Sequence, residues 1–279
     1  MKAHPDWPSF DVEFEELNLF IFSLVEAYQS GGLNSWDELD ERVKAFYTPE
    51  RMDDIEARAP GWRKMASYSD GITLTHVTCV FLGMFMLPEF QALSREQKQI
   101  AKWIVLFHDL DKFHIRGQKD TMHAFRSAIA TARALKDMNF PVSSYFNDTA
   151  FSWGEYTVSA TKMSPLMDGE QIPDNGKLPV IIAGIEEMYG KGKPATLIVK
   201  GVLLHMSLDV VKEYPQFAPL SGEEVKKFIH KDLLPLLKVM MLADNDGWSI
   251  FDADIRAIQR NETLAAFANL EAMIMQDPE

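Results

Sequence analysis

One cysteine stands among 279 residues. Cys79 has no second thiol to pair with, so an internally disulfide-stapled fold is excluded, and a reducing cytoplasm is the expected setting. The chain also lacks any run of about 18 apolar residues, the length a membrane-spanning helix needs. Its opening stretch, MKAHPDWPSFDVEFEEL, lacks the basic-then-apolar plan of a secretory signal. Positive charge is scarce: 28 Lys and Arg against 41 Asp and Glu leave a net charge of −13. Such a surface repels a polyanion, which makes long nucleic acid a poor partner. A small anion is not excluded, because a bound metal and a few local cations can dominate one pocket. Solubility is the plainer use of the acidity. No internal repeat, low-complexity tract or long linker occurs, so residues 1–279 read as a single domain.

What the chain has instead is helical periodicity almost throughout, with 47% hydrophobic residues to build a core. Phe14, Leu17, Phe20, Ile21, Leu24 and Val25 recur at three- and four-residue steps, which predicts a helix over 10–28 stopped by Gly31 and Gly32. Residues 35–58 read as one or two short helices broken near Thr48-Pro49, and Tyr68 to Gly71 reads as a turn. A mostly apolar helix is expected over 72–86. The next opens at Ser94, with Glu96 and Gln97 behind it, and ends by delivering His108 and Asp109. Asp120 is the expected cap of a helix over 121–137. Residues 138–177, with three prolines and Asn175-Gly176, read as loops and short helices, a candidate lid. Helices are then expected over 178–189, 194–213, 222–244 and 262–275. Ser221 and Glu224 form a capping box for the third, and Pro235 either kinks it or starts a second helix.

The chemistry-bearing residues sit inside these apolar helices. Of seven histidines, His4 lies near the terminus and His230 in a polar stretch. His76, His108, His123 and His205 lie in GITLTHVTCVFLGMF, WIVLFHDLDKFH, DTMHAFRSAIA and GVLLHMSLDVV. Asp244 closes LLPLLKVMMLAD. One histidine on an apolar helix is ordinarily a hydrogen-bonded core residue. Here, however, His108 and Asp109 are adjacent at a helix end, where two neighbours can turn toward one cation. Asp109 and Asp244 both follow strongly hydrophobic segments, and a buried carboxylate needs a partner. Imidazoles with carboxylates suit Mn, Fe, Co, Ni or Zn.

The order His76, His108-Asp109, Asp244 resembles the HD-domain superfamily, named for its His-Asp doublet, and His108 to Lys112 resembles that family's His-Asp-x-x-Lys variant. His123 and His205 fall where the binuclear branch carries two further histidines. The resemblance covers about residues 72–250. It implies an all-α, HD-domain-like helical bundle with a buried site for a divalent metal, two ions with Mg also admissible. His76, His108, Asp109 and Asp244 would hold the first, and Asp109 would bridge to a second held by His123 and His205. Asp109 would then be the catalytic centre. Lys112 falls where family members often contact phosphate, against the plain alternative of a solvated lysine. Arg116, Lys119 and Arg126 cluster near His123 as candidate phosphate-binding cations or a solvated helix face. Asp111 and Asp246 could orient imidazoles or water. Trp153, Tyr156 and Trp248 could stack a base, although aromatic packing is the plainer role, and Cys79 reads as a buried structural thiol near His76.

The resemblance implies a metal-dependent phosphohydrolase, of phosphodiesterase or nucleotidase type, acting on a small phosphorylated substrate, a nucleotide by expectation. A chemically different alternative is an HD-fold di-iron oxygenase of the myo-inositol oxygenase type, which uses the same six-ligand pattern. A third is a non-catalytic nucleotide-binding module, against which the intact ligand set argues. The N-terminal extension 1–71 resembles nothing named. It can cover the site, build a homo-oligomer interface or complete the bundle, and a C-terminal helical region, 251–279, follows the core.

Overall fold

Four helices bury most of their length and form the centre of the computed structural model, which describes residues 6–66, 72–112, 120–143, 161–163, 171–213, 215–216 and 218–275. The first, α6 (Ile72–Met86), buries everything from Thr73 to Phe85. α8 (Arg95–Phe107) begins in a full Ser94–Gln97 capping box and is buried from Gln99 onward. α11 (Pro194–Leu204) and α13 (Leu234–Ser249) complete the group. α6 packs along α13, α8 lies against α11 and α13, and α9 (His123–Asp137) covers α11.

Amphipathic elements surround this centre. On the N-terminal side lie α1 (Phe10–Glu13), α2 (Glu15–Gln29), α3 (Trp36–Phe46), α4 (Pro49–Arg58) and α5 (Arg63–Ala66). α7 (Pro88–Ala92) links α6 to α8, and α10 (Leu178–Tyr189) precedes α11. α12 (Gly222–Phe228) and α14 (Ala253–Met275) flank α13. The fold is all-α. Its extended backbone among the described residues is one antiparallel pair, β1 (Thr161–Met163) with β2 (Gln171–Pro173).

Residues before 72 complete the bundle. The buried residues form one continuous core from Trp7 to Ile274. Phe10 and Phe14 both stand edge-on to Trp103 of α8, with ring centroids 5.1 and 5.5 Å away. Lys102 of α8 is buried under α1 and α2, where Asp11 pairs with it and Asn18 accepts a 3.0 Å hydrogen bond. This docking explains why the expected helix over 10–28 is two. The backbone turns at Phe14 (φ −127°, ψ 47°), and both phenylalanines reach the same tryptophan.

Other boundaries moved for local reasons. The helix expected over 194–213 stops at Leu204, where the next side chain, His205, takes a carbonyl of the last turn. The helix expected over 222–244 is two, with Pro235 in the first turn of the second, where its missing N–H costs nothing. The final helix starts nine residues early, at Ala253, because Asp252 Oδ1 accepts the Ile255 N–H (3.0 Å) and Arg256 is drawn to Asp246. Asp120 acts as expected, accepting the Met122 N–H at 3.3 Å, but the helix proper begins at His123. The turn expected at 68–71 lies outside the described residues, as does much of the 138–177 region.

Candidate metal centre

Each histidine reaches the centre from a helix terminus or a helix crossing. His108 and His205 are the residues at which α8 and α11 end. The last carbonyls of a helix have no intrahelical donor, and each imidazole supplies one. His108 Nδ1 donates to Val105 O (2.8 Å) and His205 Nδ1 to Val202 O (2.6 Å), three residues back in both cases. His123, at the first turn of α9, repeats the device on Asp120 O (2.5 Å). A proton fixed on Nδ1 leaves Nε2 as the lone-pair nitrogen, the state a ligating imidazole requires.

His76 sits mid-helix, where α6 crosses α13. The crossing is close enough that a Cβ on Gly247 would lie 2.8 Å from His76 Cε1 and 2.6 Å from Val80 Cγ2, so only glycine fits there. The Nδ1 contact of His76, with Gly247 O, is the longest of the four at 3.4 Å. Trp248 supplies a second restraint, its ring stacked on the imidazole with centroids 4.2 Å apart and planes 18° off parallel.

These anchors point four Nε2 atoms at Asp109. Asp109 Oδ2 lies 3.7 Å from His76 Nε2 and 3.6 Å from His108 Nε2, and Oδ1 lies 3.3 Å from His123 Nε2. His123 and His205 meet at 3.1 Å, Nε2 to Nε2. Asp244 Oδ1 stands 2.9 Å from His76 Nε2 and 3.8 Å from His108 Nε2. Two buried groups result, each with ligand atoms mutually within 4.8 Å: His76, His108 and Asp109, and Asp109, His123 and His205. Asp109 is common to both, and Asp244 flanks the first with a quarter of its side chain exposed.

The donor set fits a divalent cation. Buried polar atoms nearly always find partners, yet His108 Nε2 and Asp109 Oδ1 are buried with no hydrogen-bond partner. Their protonation states suit ligation too. Burial pushes the imidazoles of His108 and His123 below the ordinary value, His123 far below, and His205 down to about 4, so all three are neutral near pH 7. Burial alone would raise Asp109, but the Lys112 ammonium and the surrounding imidazoles hold it well below the usual carboxylate range. Asp244 is likewise held low by His76 and His108 against its own burial.

Lys112 donates to Asp109 Oδ2 at 2.7 Å, the same oxygen that His76 and His108 face. Burial pulls its ammonium down, but Asp109 and Asp244 more than offset this and leave it raised, hence cationic. Arg126 lies beside the second group and is held by Asp120 and by Asp111 O (3.1 Å). Through Asp120 it touches the residue whose carbonyl fixes His123. Arg116 and Lys119 lie outside the described residues, as do Trp153 and Tyr156.

Two expectations change. Asp246 orients no imidazole; it is buried and takes both Arg256 Nε and Nη2 at 2.7 Å, tying α13 to α14. Asp111 pairs with Lys64 and Arg126, which ties α5 and α9 to the turn after the doublet. Cys79 is buried beside Asp246 O, and burial raises its thiol. Sequence reasoning missed Gly247 and the three anchoring carbonyls. The latter leave no signal in the sequence, because every residue has a backbone carbonyl three positions before it.

Comparison with protein-family models, with curated proteins and with solved structures gives no match. No helix among the described residues is long and apolar enough to cross a membrane.

Proposed function

We propose that the chain is a metal-dependent phosphohydrolase of the HD-domain type, acting on a small phosphorylated substrate of the nucleotide class. The observation that carries this reading is the convergence of five ligand-type side chains from five helical segments around Asp109, in the chain order His76, His108-Asp109, His123, His205, Asp244. A ligand atom is expected to lack a partner within the protein, and most buried polar atoms have one. Here two atoms of the doublet have none. His76, His108, Asp109 and Asp244 would hold one ion, and Asp109, His123 and His205 a second.

Bound divalent cations supply an acidified water and a Lewis acid for phosphoryl oxygen. The chain's own residues do the rest. The backbone-anchored imidazoles hold their lone pairs in place without taking up a proton. Asp109 presents one oxygen to each group. Lys112 keeps its charge next to Asp109 and supplies a fixed cation for a phosphate oxygen.

The test is a phosphate-release screen over nucleoside mono-, di- and triphosphates and cyclic nucleotides, with Mn, Mg, Co and Ni in turn. Metal-dependent release from at least one class is expected. Protein purified with bound iron that consumes oxygen only when substrate is added, and releases no phosphate, would establish the oxygenase reading instead.

A further inference from the structure

A cavity opens at the end of α11 far from His205. It measures about 520 Å³ and lies between the Gly190–Lys193 loop and the α12–α13 connection. In a chain of net charge −13 its lining is cationic: Lys191, Lys200, Lys226 and Lys231 with His230, against Glu186 and Asp232. The lysines are not equivalent. Lys191 and Lys231 are exposed and make no ion pair among the described residues. Lys226 meets Glu223 loosely, at 3.8 Å.

Lys200 forms the floor. Its side chain is only 4% exposed, and it makes one hydrogen bond, to Glu186 Oε1 at 3.2 Å. An ammonium has three donors, so a nearly buried cation presents two of them unused. α11 also begins here, at Pro194, without a side-chain cap on its first turn, and the start of a helix favours anions. Leu197, Leu233 and Ile274 line the cavity as well.

We infer that this cleft binds a small organic molecule carrying two or more phosphate charges, at a site separate from the metal centre. Lys200 receives the anion from within, Lys191 and Lys231 close on it from the rim, and the apolar residues take the organic body. The volume falls within the range of about 300–1,000 Å³ usual for small-molecule sites. Glu186 keeps Lys200 paired when no anion is bound, which limits the cost of holding a buried cation.

Isothermal titration calorimetry on the full chain, stripped of metal by chelation and dialysis, tests this. Pyrophosphate and ADP are the probes, because metal-free conditions remove the recruitment of phosphate to the ion site. Saturable binding is expected, tighter for ADP than for pyrophosphate, and weakened by raised salt. The double variant Lys191→Glu/Lys231→Glu, both on the surface, should lose affinity by about tenfold or more, while binding the same number of metal ions as the parent. Unchanged affinity in that variant would overturn the assignment. So would absence of saturable binding, or a loss of ADP affinity in Lys112→Gln matching that in the lysine variant, which would place the ligand at the metal centre.

Discussion

The two ligand groups that share Asp109 are built from the same residue types, yet they differ in charge and in restraint. The first brings two imidazoles together with two carboxylates, Asp109 and Asp244. The second brings two imidazoles with Asp109 alone, and burial depresses both of its histidines, His205 to about 4. Anchoring runs the other way. In the second group each Nδ1 is held within 2.6 Å of a carbonyl, whereas His76 in the first relies on a 3.4 Å contact and a stacked indole. Charge therefore favours tight metal binding at the first group, while the second is more rigid but less attractive to a cation. On the proposed reading the two groups would load in order, with the His76 side first.

The largest expected effect falls on what the groups share. Asp109→Ala should remove both ions and lower turnover by about three orders of magnitude, with helicity by circular dichroism retained. Elemental analysis showing unchanged metal content would remove Asp109 from the centre altogether. Next come variants that separate the groups. Asp244→Asn should lower affinity for the first ion and leave the second group's residues intact, whereas His205→Gln should leave a protein that still binds one ion. If both variants lose both ions together, the groups are one site and the comparison collapses.

A smaller effect, on stability, comes from protons. His205 is held near 4 when folded, against 6.5 for an ordinary imidazole. Between those values the unfolded chain binds more protons than the folded one, so the stability of the metal-free protein rises with pH there and falls as pH drops from 6.5 toward 4. His205 alone contributes about 3 kcal/mol over that window, and His108 and His123 act in the same direction. Urea unfolding of chelated protein at pH 7 and pH 5 measures it. A flat profile would show that the second group's histidines are not buried neutral.

These contrasts were unevenly legible in the sequence. The sequence located α6, α8 and the end of α10 to within a residue or two, because α6 is an unbroken apolar run stopped by Pro88 and α8 opens in a capping box and carries one strong apolar face. It failed where tertiary contacts set the boundary: at Phe14, where two rings share Trp103, and at Ala253, where a polar first turn is held by Asp252 and by the Arg256–Asp246 pair. All six proposed ligand positions could be named in advance: His108, Asp109, His205 and Asp244 close apolar runs, while His76, inside a helix, and His123, at the start of one, are named through the resemblance. What held them could not. The anchors for the imidazoles are backbone carbonyls, which every residue has, and Gly247 owes its place to a helix crossing visible only in three dimensions. Asp111 and Asp246 misled for the opposite reason, being acids near the site whose cationic partners, Lys64 and Arg256, come from other helices.

The smallest expected effect tests whether restraint differs between the groups as charge does. Trp248 is 48% exposed, so its removal vacates little core, and its loss costs about 1 kcal/mol of ring stacking. Its position is specific, however: one face lies on His76, and Lys112 Nζ stands 6.0 Å from the ring centroid. Without it, the Nδ1 side of His76 keeps only the long contact to Gly247 O, and the ring is held beyond that by Asp244 Oδ1 at 2.9 Å and by the helix crossing. Trp248→Ala should therefore lower the melting temperature by about 2–4 °C and weaken binding of the first ion several-fold, while the second group, whose imidazoles are tied to Asp120 O and Val202 O, keeps its affinity. Stepwise Co titration, with each site followed by its visible absorption, reads the two affinities separately. Equal weakening at both sites would mean that the indole acts through the shared Asp109; no weakening at either would mean that the α6–α13 crossing alone fixes His76.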